Sequence, residues 1–333
     1  MRNIKLVIQY DGSGYSGWQV QNTRAQSTEH RTQTTEHGSP PQIRSESGRR
    51  GRQNTPADSE RIWTQGQAEH PTAPTALLRK AKQWGDAGAG RAQKKITTIQ
   101  AVLEEAVRTV TGENAKVIAA GRTDAGVHAF DQVAVFRTRS YLEPSVLLRA
   151  LNANLPVDVR IIKAAEKPAE FHPRYDAKHK TYSYIILPGE YLASPQGGSV
   201  FLKGYSWQLP YDLDVTMMRR AARLLIGKHD FVCFRASGCS SKHAVRTIKK
   251  ISISKTSTFG FMGFKFNVPL IKISVQADAF LRYMVRNIVG TLVEVGKGKV
   301  LPEEIKKILR SKDRRLSGPT APAQGLFLEK IVY

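Results

Sequence analysis

The run Ala-Gly-Arg-Thr-Asp-Ala-Gly-Val-His-Ala, residues 120–129, sets one carboxylate, Asp124, in a short glycine-flanked segment two positions after a guanidinium, Arg122. A strand-like run, KVIAAG, leads into it and another, DQVAVF, leads out. Loops held by rigid strands are favoured places for catalytic groups. An Asp so placed serves either as a turn residue bonded to its own backbone or as a nucleophile or base whose charge a nearby cation sustains. A second group with chemistry in reach lies in K-T-Y-S-Y, 180–184, where period-two alternation puts Tyr182 and Tyr184 on one face of a strand and Ser183 on the other. A third is Arg286, on a segment whose Leu281, Met284, Val285, Ile288 and Leu292 recur at helical spacing. His128 and His172 have no third ligand at useful spacing, and Cys233 and Cys239 are not spaced C-x-x-C. Neither a metal site nor a disulfide framework is therefore expected.

The elements that must position these groups alternate in type. KLVIQY is a strand; Ile99, Val102, Leu103, Ala106, Val107 and Val110 follow at helical spacing, with Thr97 or Thr98 to cap the start and Gly112 to stop it. The two strands around Asp124 come next. A similar order returns with TYSYIIL, a helix from about Asp214 to Ile226, and then the runs FVCFRA and VRTIKKISIS. The strand IKISVQA, a helix from about Phe280 to Val295, a short helix opened by Pro302 and the strand GLFLEKIVY close the chain. Two such units pair into one antiparallel or mixed sheet with flanking helices, an α+β fold. The expected halves are residues 1–170 and 171–333, with the cleft where they meet.

One stretch stands apart. Residues 22–95 carry Ile43, Ile62, Trp63, Leu77, Leu78 and Trp84 as their only strongly apolar side chains, too few to offset the entropy of ordering them, so a disordered or loosely attached insertion is expected. Of the chain's formal charge of +23, that stretch accounts for +6. The remaining surplus belongs to the folded body and favours a polyanionic partner. Lys178, His179 and Lys180, and the run Arg246, Lys249 and Lys250, are expected as phosphate contacts. No apolar run approaches the ~20 residues a membrane-spanning helix needs, and no secretory leader is legible after Met1, so a cytoplasmic location is expected.

The 120–129 string resembles the catalytic signature of the tRNA pseudouridine synthase A family. Y-D-G-S-G-Y-S-G-W-Q at 10–19, T-I-Q at 98–100, L-N-A-N-L-P at 151–156, F-H-P-R-Y-D-A at 171–177, K-T-Y-S-Y and M-V-R-N-I-V-G at 284–290 follow in that family's order. The resemblance implies the pseudouridine synthase fold and the isomerisation of uridines 38, 39 and 40 in the tRNA anticodon arm, by a homodimer in which one tRNA contacts both subunits. It implies Asp124 as the catalytic carboxylate, Arg286 as its arginine partner, Tyr182 as the active-site tyrosine stacking on the uracil and available to help remove the ring-carbon proton, and Arg122 as the side chain that fills the space of a flipped-out base. No coenzyme or metal is implied. The chain departs from the family in the insertion, which replaces a short connection, in Val20, where a basic residue is usual, and in Asp176, where a small hydroxyl residue is usual. Two other readings remain open: a relative acting on other positions or another RNA, and a noncatalytic RNA-binding protein that keeps the fold.

Overall fold

A computed structural model describes residues 1–19, 97–189, 200–239, 241, 243–261, 264–266 and 269–333. Val20 and the 22–95 insertion lie outside the described residues. The sequence of elements is β1 (Arg2–Tyr10), α1 (Ile99–Thr111), β2 (Ile118–Ala119), β3 (His128–Thr138), α2 (Pro144–Asn154), β4 (Val159–Lys167), β5 (His179–Pro188), β6 (Trp207–Leu209), α3 (Val215–Arg223), β7 (Gly227–Asp230), β8 (Val245–Thr256), β9 (Phe259–Phe261), β10 (Phe264–Phe266), β11 (Leu270–Ala277), α4 (Met284–Gly296), α5 (Glu304–Ser311) and β12 (Leu326–Val332).

One mixed sheet runs β4-β1-β3-β12-β5-β11-β8-β7, with β2 added to β3 and β6 to β5; β9 and β10 form a separate two-stranded ribbon. Most neighbours are antiparallel, as with β1 on β3 (Ile4 opposite Phe136) and β11 on β5 (Val275 opposite Tyr182). The junction that positions the site is parallel. β12, the last strand, enters beside β3 with Phe327 opposite His128, so the segment before β12 and the Asp124 turn before β3 emerge at the same end of the sheet. β12 also pairs with β5, Leu328 opposite Tyr182, which places that tyrosine two strands from β3.

Local chemistry accounts for the ends of these elements. The Thr98 hydroxyl accepts from the Ala101 amide at 3.2 Å at the start of α1, and Gly112, at φ 73°, stops it. Asp214 caps α3 by accepting from the Thr216 and Met217 amides. Ile4, Leu6 and Ile8 of β1, Leu103 and Val107 of α1, Tyr184 and Ile186 of β5, and Ile288 and Leu292 of α4 belong to one buried core. Burial of α4 extends to nearly all its residues, Asn287 and Thr291 included, so the helix is enclosed well beyond its expected single apolar side.

Two expectations shift. FVCFRA is not a strand: Asp230 accepts from the Val232 amide at 3.1 Å, and Val232–Phe234 turn as a 3₁₀ segment. Phe231, Cys233 and Phe234 are all buried there, a pattern that alternation cannot produce. The helix expected from about Phe280 begins at Met284 instead, because Asp278 captures the Thr247 and Ala279 amides and Tyr283 takes φ 63°, which a right-handed helix cannot accommodate. Pro302 lies in the turn before α5, its carbonyl accepting from the Ile305 amide. Among the described residues no helix is long and apolar enough to cross a membrane.

Candidate active site

The Asp124 turn is clamped from three sides. Tyr10 on β1 shares a hydrogen bond of 2.8 Å with the Thr123 hydroxyl, and the Gln132 amide on β3 donates to the Gly121 carbonyl at 3.0 Å. The Trp18 amide donates to the Thr123 carbonyl at 3.0 Å. Burial pushes the Tyr10 phenol up to about 12, so it stays protonated and keeps that contact. The glycines of the 10–19 segment let backbone approach backbone. A Cβ at Gly12 would stand 2.0 Å from the Val127 carbonyl oxygen, and one at Gly17, itself at φ 89°, 2.6 Å from that of Thr123. The turn closes on itself through the Val127 amide and the Asp124 carbonyl.

The carboxylate so held faces the second half of the chain. Arg286 Nη1 donates to Asp124 Oδ2 at 3.4 Å, with the side chains 14% and 19% exposed. Enough of Asp124 is open for a substrate to reach it. Arg286 is fixed in turn: its Nε donates to the Ala321 carbonyl at 2.7 Å, and its guanidinium lies 4.6 Å from the Tyr283 ring centre, within cation–π range. Burial raises the Asp124 pKa above the ordinary carboxylate value, and the opposing charges of Arg286 and Arg282 do not fully cancel it.

Tyr182 is buried beside this pair, its ring edge-on to Phe280 at 5.1 Å. Burial, with smaller contributions from Tyr10 and the Asp124 carboxylate, pushes its phenol far above the usual range. Tyr184, expected as packing, is enclosed; its hydroxyl donates to the Pro322 carbonyl at 2.7 Å and a Cβ at Gly325 would overlap its ring. The 319–325 segment that carries the acceptor for Arg286 is thereby anchored to β5.

The expected site residues thus divide. Asp124, Tyr182 and Arg286 come together from three distant stretches of chain. Arg122 is exposed and forms no hydrogen bond or ion pair among the described residues, two positions from Asp124. Lys178 is exposed at the start of the same region. Lys180 turns inward instead: it is buried and its Nζ donates to the Ala120 carbonyl at 2.6 Å, because it shares the inward face of β5 with Tyr182. Arg246 is held by the His243 and Val245 carbonyls and the Ser241 hydroxyl. His128 is satisfied by the Gly12 amide, Asp11 and the Gly204 carbonyl. His172 accepts from the Arg174 amide. Sequence reasoning missed Tyr10, Gln132, Arg282 and Tyr283. Only Tyr10 left a signal, as a neighbour of the close-packed glycines.

A family profile described as tRNA pseudouridine synthase matches residues 86–176 and 221–333. A tRNA pseudouridine synthase A of Thermoanaerobacter sp. (strain X514) is 43% identical over 241 residues, 72% of this chain and 92% of the relative. That of Thermodesulfovibrio yellowstonii is 40% identical over the same shares, and that of Acetivibrio thermocellus 33% identical over the whole of both chains. With the mixed sheet, the clamped turn and these matches in place, the chain belongs to the tRNA pseudouridine synthase family, isomerases that convert uridine to pseudouridine in tRNA.

Proposed function

We propose that Asp124 is the catalytic carboxylate of this isomerase, with Arg286 sustaining its charge and Tyr182 forming one wall of the uracil site. The observation that carries this reading is the 3.4 Å ion pair between Asp124 and Arg286 beside the buried Tyr182. The reaction breaks the bond from the ribose C1′ to N1 of uracil, turns the base, and joins C1′ to C5; C5 loses a proton and N1 gains one. Electrons balance without an external oxidant or reductant. A carboxylate, a pocket that retains the free base and a proton acceptor meet its needs, so no cofactor is required. A partly exposed Asp124 is suited to meet the nucleoside, while Arg286 opposes the rise in pKa that desolvation imposes. Tyr182 is suited to stack on the uracil, and its phenol, kept protonated by burial, can donate a hydrogen bond to it.

A uridine within an RNA stem must leave its stack to reach Asp124, at a cost of a few kcal/mol. Arg122, exposed and unpaired among the described residues, is suited to occupy the vacated space, and Lys178 to meet backbone phosphate. The targets we propose, following the family resemblance, are uridines 38, 39 and 40 of the anticodon arm, bound by a homodimer in the cytoplasm. The two halves, 1–170 and 171–333, act as half-domains, the first supplying Asp124 and the second Tyr182 and Arg286.

Asp124→Asn tests the assignment. Pseudouridine formation in tRNA should fall by at least 10³-fold, as expected when a nucleophile or base is lost, while tRNA affinity stays within about threefold because phosphate contacts dominate it. Retained turnover in that variant would remove Asp124 from the mechanism. Equal loss of binding and turnover would favour a noncatalytic RNA-binding role for the site.

A further inference from the structure

Among the described residues, Tyr283 and Lys312 are the two non-glycine residues with left-handed backbone, φ 63° and 55°. Such conformations cost of order 1–3 kcal/mol and persist where the surroundings impose them. Both residues line the same cavity. It measures about 650 Å³ and lies between the 235–239 loop, the start of α4 and the 312–320 segment, within the roughly 300–1,000 Å³ typical of ligand sites. Its polar lining includes Arg235, Ser237, Tyr283, Lys312, Arg314 and Thr320, and among the described residues no carboxylate lines it.

The charges in that lining are poorly compensated. Arg314 donates to neutral acceptors, among them the Ser317 hydroxyl and Asn287 Oδ1. Lys312 has Asp230 at 3.3 Å but remains largely exposed. The Arg235 side chain forms no hydrogen bond or ion pair among the described residues although it is half-buried. Lys312 ends α5 in the conformation for which glycine is the least costly choice, so the lysine adds charge to the cavity wall at the expense of backbone strain. Cavity and catalytic pair are joined through one ring: Tyr283 lines the cavity, and the Arg286 guanidinium that binds Asp124 lies 4.6 Å from its centre. Arg282 approaches the same ring at 5.0 Å, with a buried Nε that has no hydrogen-bond acceptor among the described residues.

An anion alone would not need so large a space or an aromatic wall, and an uncharged ligand would not need three cations. A nucleotide has the required parts. We propose that this cavity binds the nucleotide adjacent to the target uridine, with its phosphodiester on Arg235 and Lys312 and its base or ribose against Tyr283. The inference rests on the reading of the chain as an enzyme acting on RNA. It makes the 235–239 loop and the end of α5 a second contact that registers the substrate strand beside Asp124.

The test uses the full chain and a tRNA anticodon-arm RNA in which either linkage flanking the uridine is a neutral methylphosphonate. Arg235→Ala and Lys312→Gly should each weaken binding of native RNA about tenfold and lower the slope of log affinity against log salt by about one. Lys312→Gly relaxes the left-handed backbone, so an unchanged or raised melting temperature separates lost contact from lost fold. Neutralising one of the two linkages should cost the wild type a similar factor, and on that RNA Arg235→Ala should cost nothing further. Binding of native RNA within twofold of wild type, or losses that multiply with neutralisation at both linkages, would overturn the proposal. The same RNA is assayed for pseudouridine. If the wild type forms product while the coupling is missing, the cavity proposal alone falls. If it forms none on any tRNA while the Arg235 coupling persists, the isomerase mechanism falls and the nucleotide site stands.

Discussion

Asp124 is held between two opposed influences, burial that disfavours its charge and two arginines that favour it, and burial prevails. A carboxyl whose pKa is raised needs a higher pH to ionise, so the acid limb of the activity profile should lie above the ~3.9 of an unperturbed aspartate. Arg286→Gln removes the largest influence that favours the charge, so it should move that limb further upward as well as slow turnover; a pH profile of kcat/KM that shifts downward would contradict the ion-pair role. Lys180 behaves in the opposite sense. Burial depresses its pKa from 10.5 to about 8, so between those values the unfolded chain binds more protons and stability rises with pH. Lys180→Met should flatten that rise in urea denaturation followed from pH 8 to 10.5; an identical pH dependence in both proteins would show the ammonium is not desolvated. The sequence marked Lys180 as a cation but could not say which way β5 faced. It named Asp124, Tyr182 and Arg286 through their resemblance to the motifs of a family, which are local strings, whereas Gln132 gains its place through contacts to Tyr10 and Gly121.

At the scale of elements, the parallel entry of β12 beside β3 decides the site. It brings the 319–325 segment to the Asp124 turn, and that segment carries the carbonyl that fixes Arg286. The segment runs tightly along α4: a Cβ at Gly290 would stand 1.7 Å from the Pro319 carbonyl oxygen. Gly290→Ala must therefore part the two, costing about 3 kcal/mol, at the upper end for overpacking, and displacing the Ala321 acceptor. Urea denaturation together with turnover checks this; a loss below about 0.5 kcal/mol would mean the packing is loose. The sequence placed α1 and the start of α3 because caps such as Thr98, Gly112 and Asp214 are local signals; α3 ends at Arg223, short of the expected Ile226, and Gly227 opens β7. It extended α4 back to Phe280 because apolar spacing continues through Leu281, while the Asp278 side chain that holds the chain out of the helix before Met284 accepts from Thr247, 31 residues away, as well as from the adjacent Ala279 amide.

For the whole molecule, the formal charge of +23 accompanies a substrate that is a polyanion. The ends flanking the long insertion are already joined: the Ile99 amide donates to the Gly17 carbonyl at 3.2 Å and the Gln100 amide to that of Trp18 at 3.1 Å. Loop-closure cost grows slowly with length, so residues 22–95 should be replaceable by a short Gly/Ser linker with little loss of stability. Melting temperature and pseudouridine yield of that variant provide the check; a large loss of yield with the fold intact would give the insertion a role in binding tRNA. Sequence by itself determined the element types, their caps, the basic surplus and the strings holding the catalytic candidates, because each depends on spacing within a few residues. Tertiary structure decided the strand order, which rests on pairings such as His128 with Phe327, 199 positions apart, the inward face of Lys180, which bonds a carbonyl 60 positions away, and the cavity that joins the 235–239 loop to the 312–320 segment, because no local pattern records which distant segments meet.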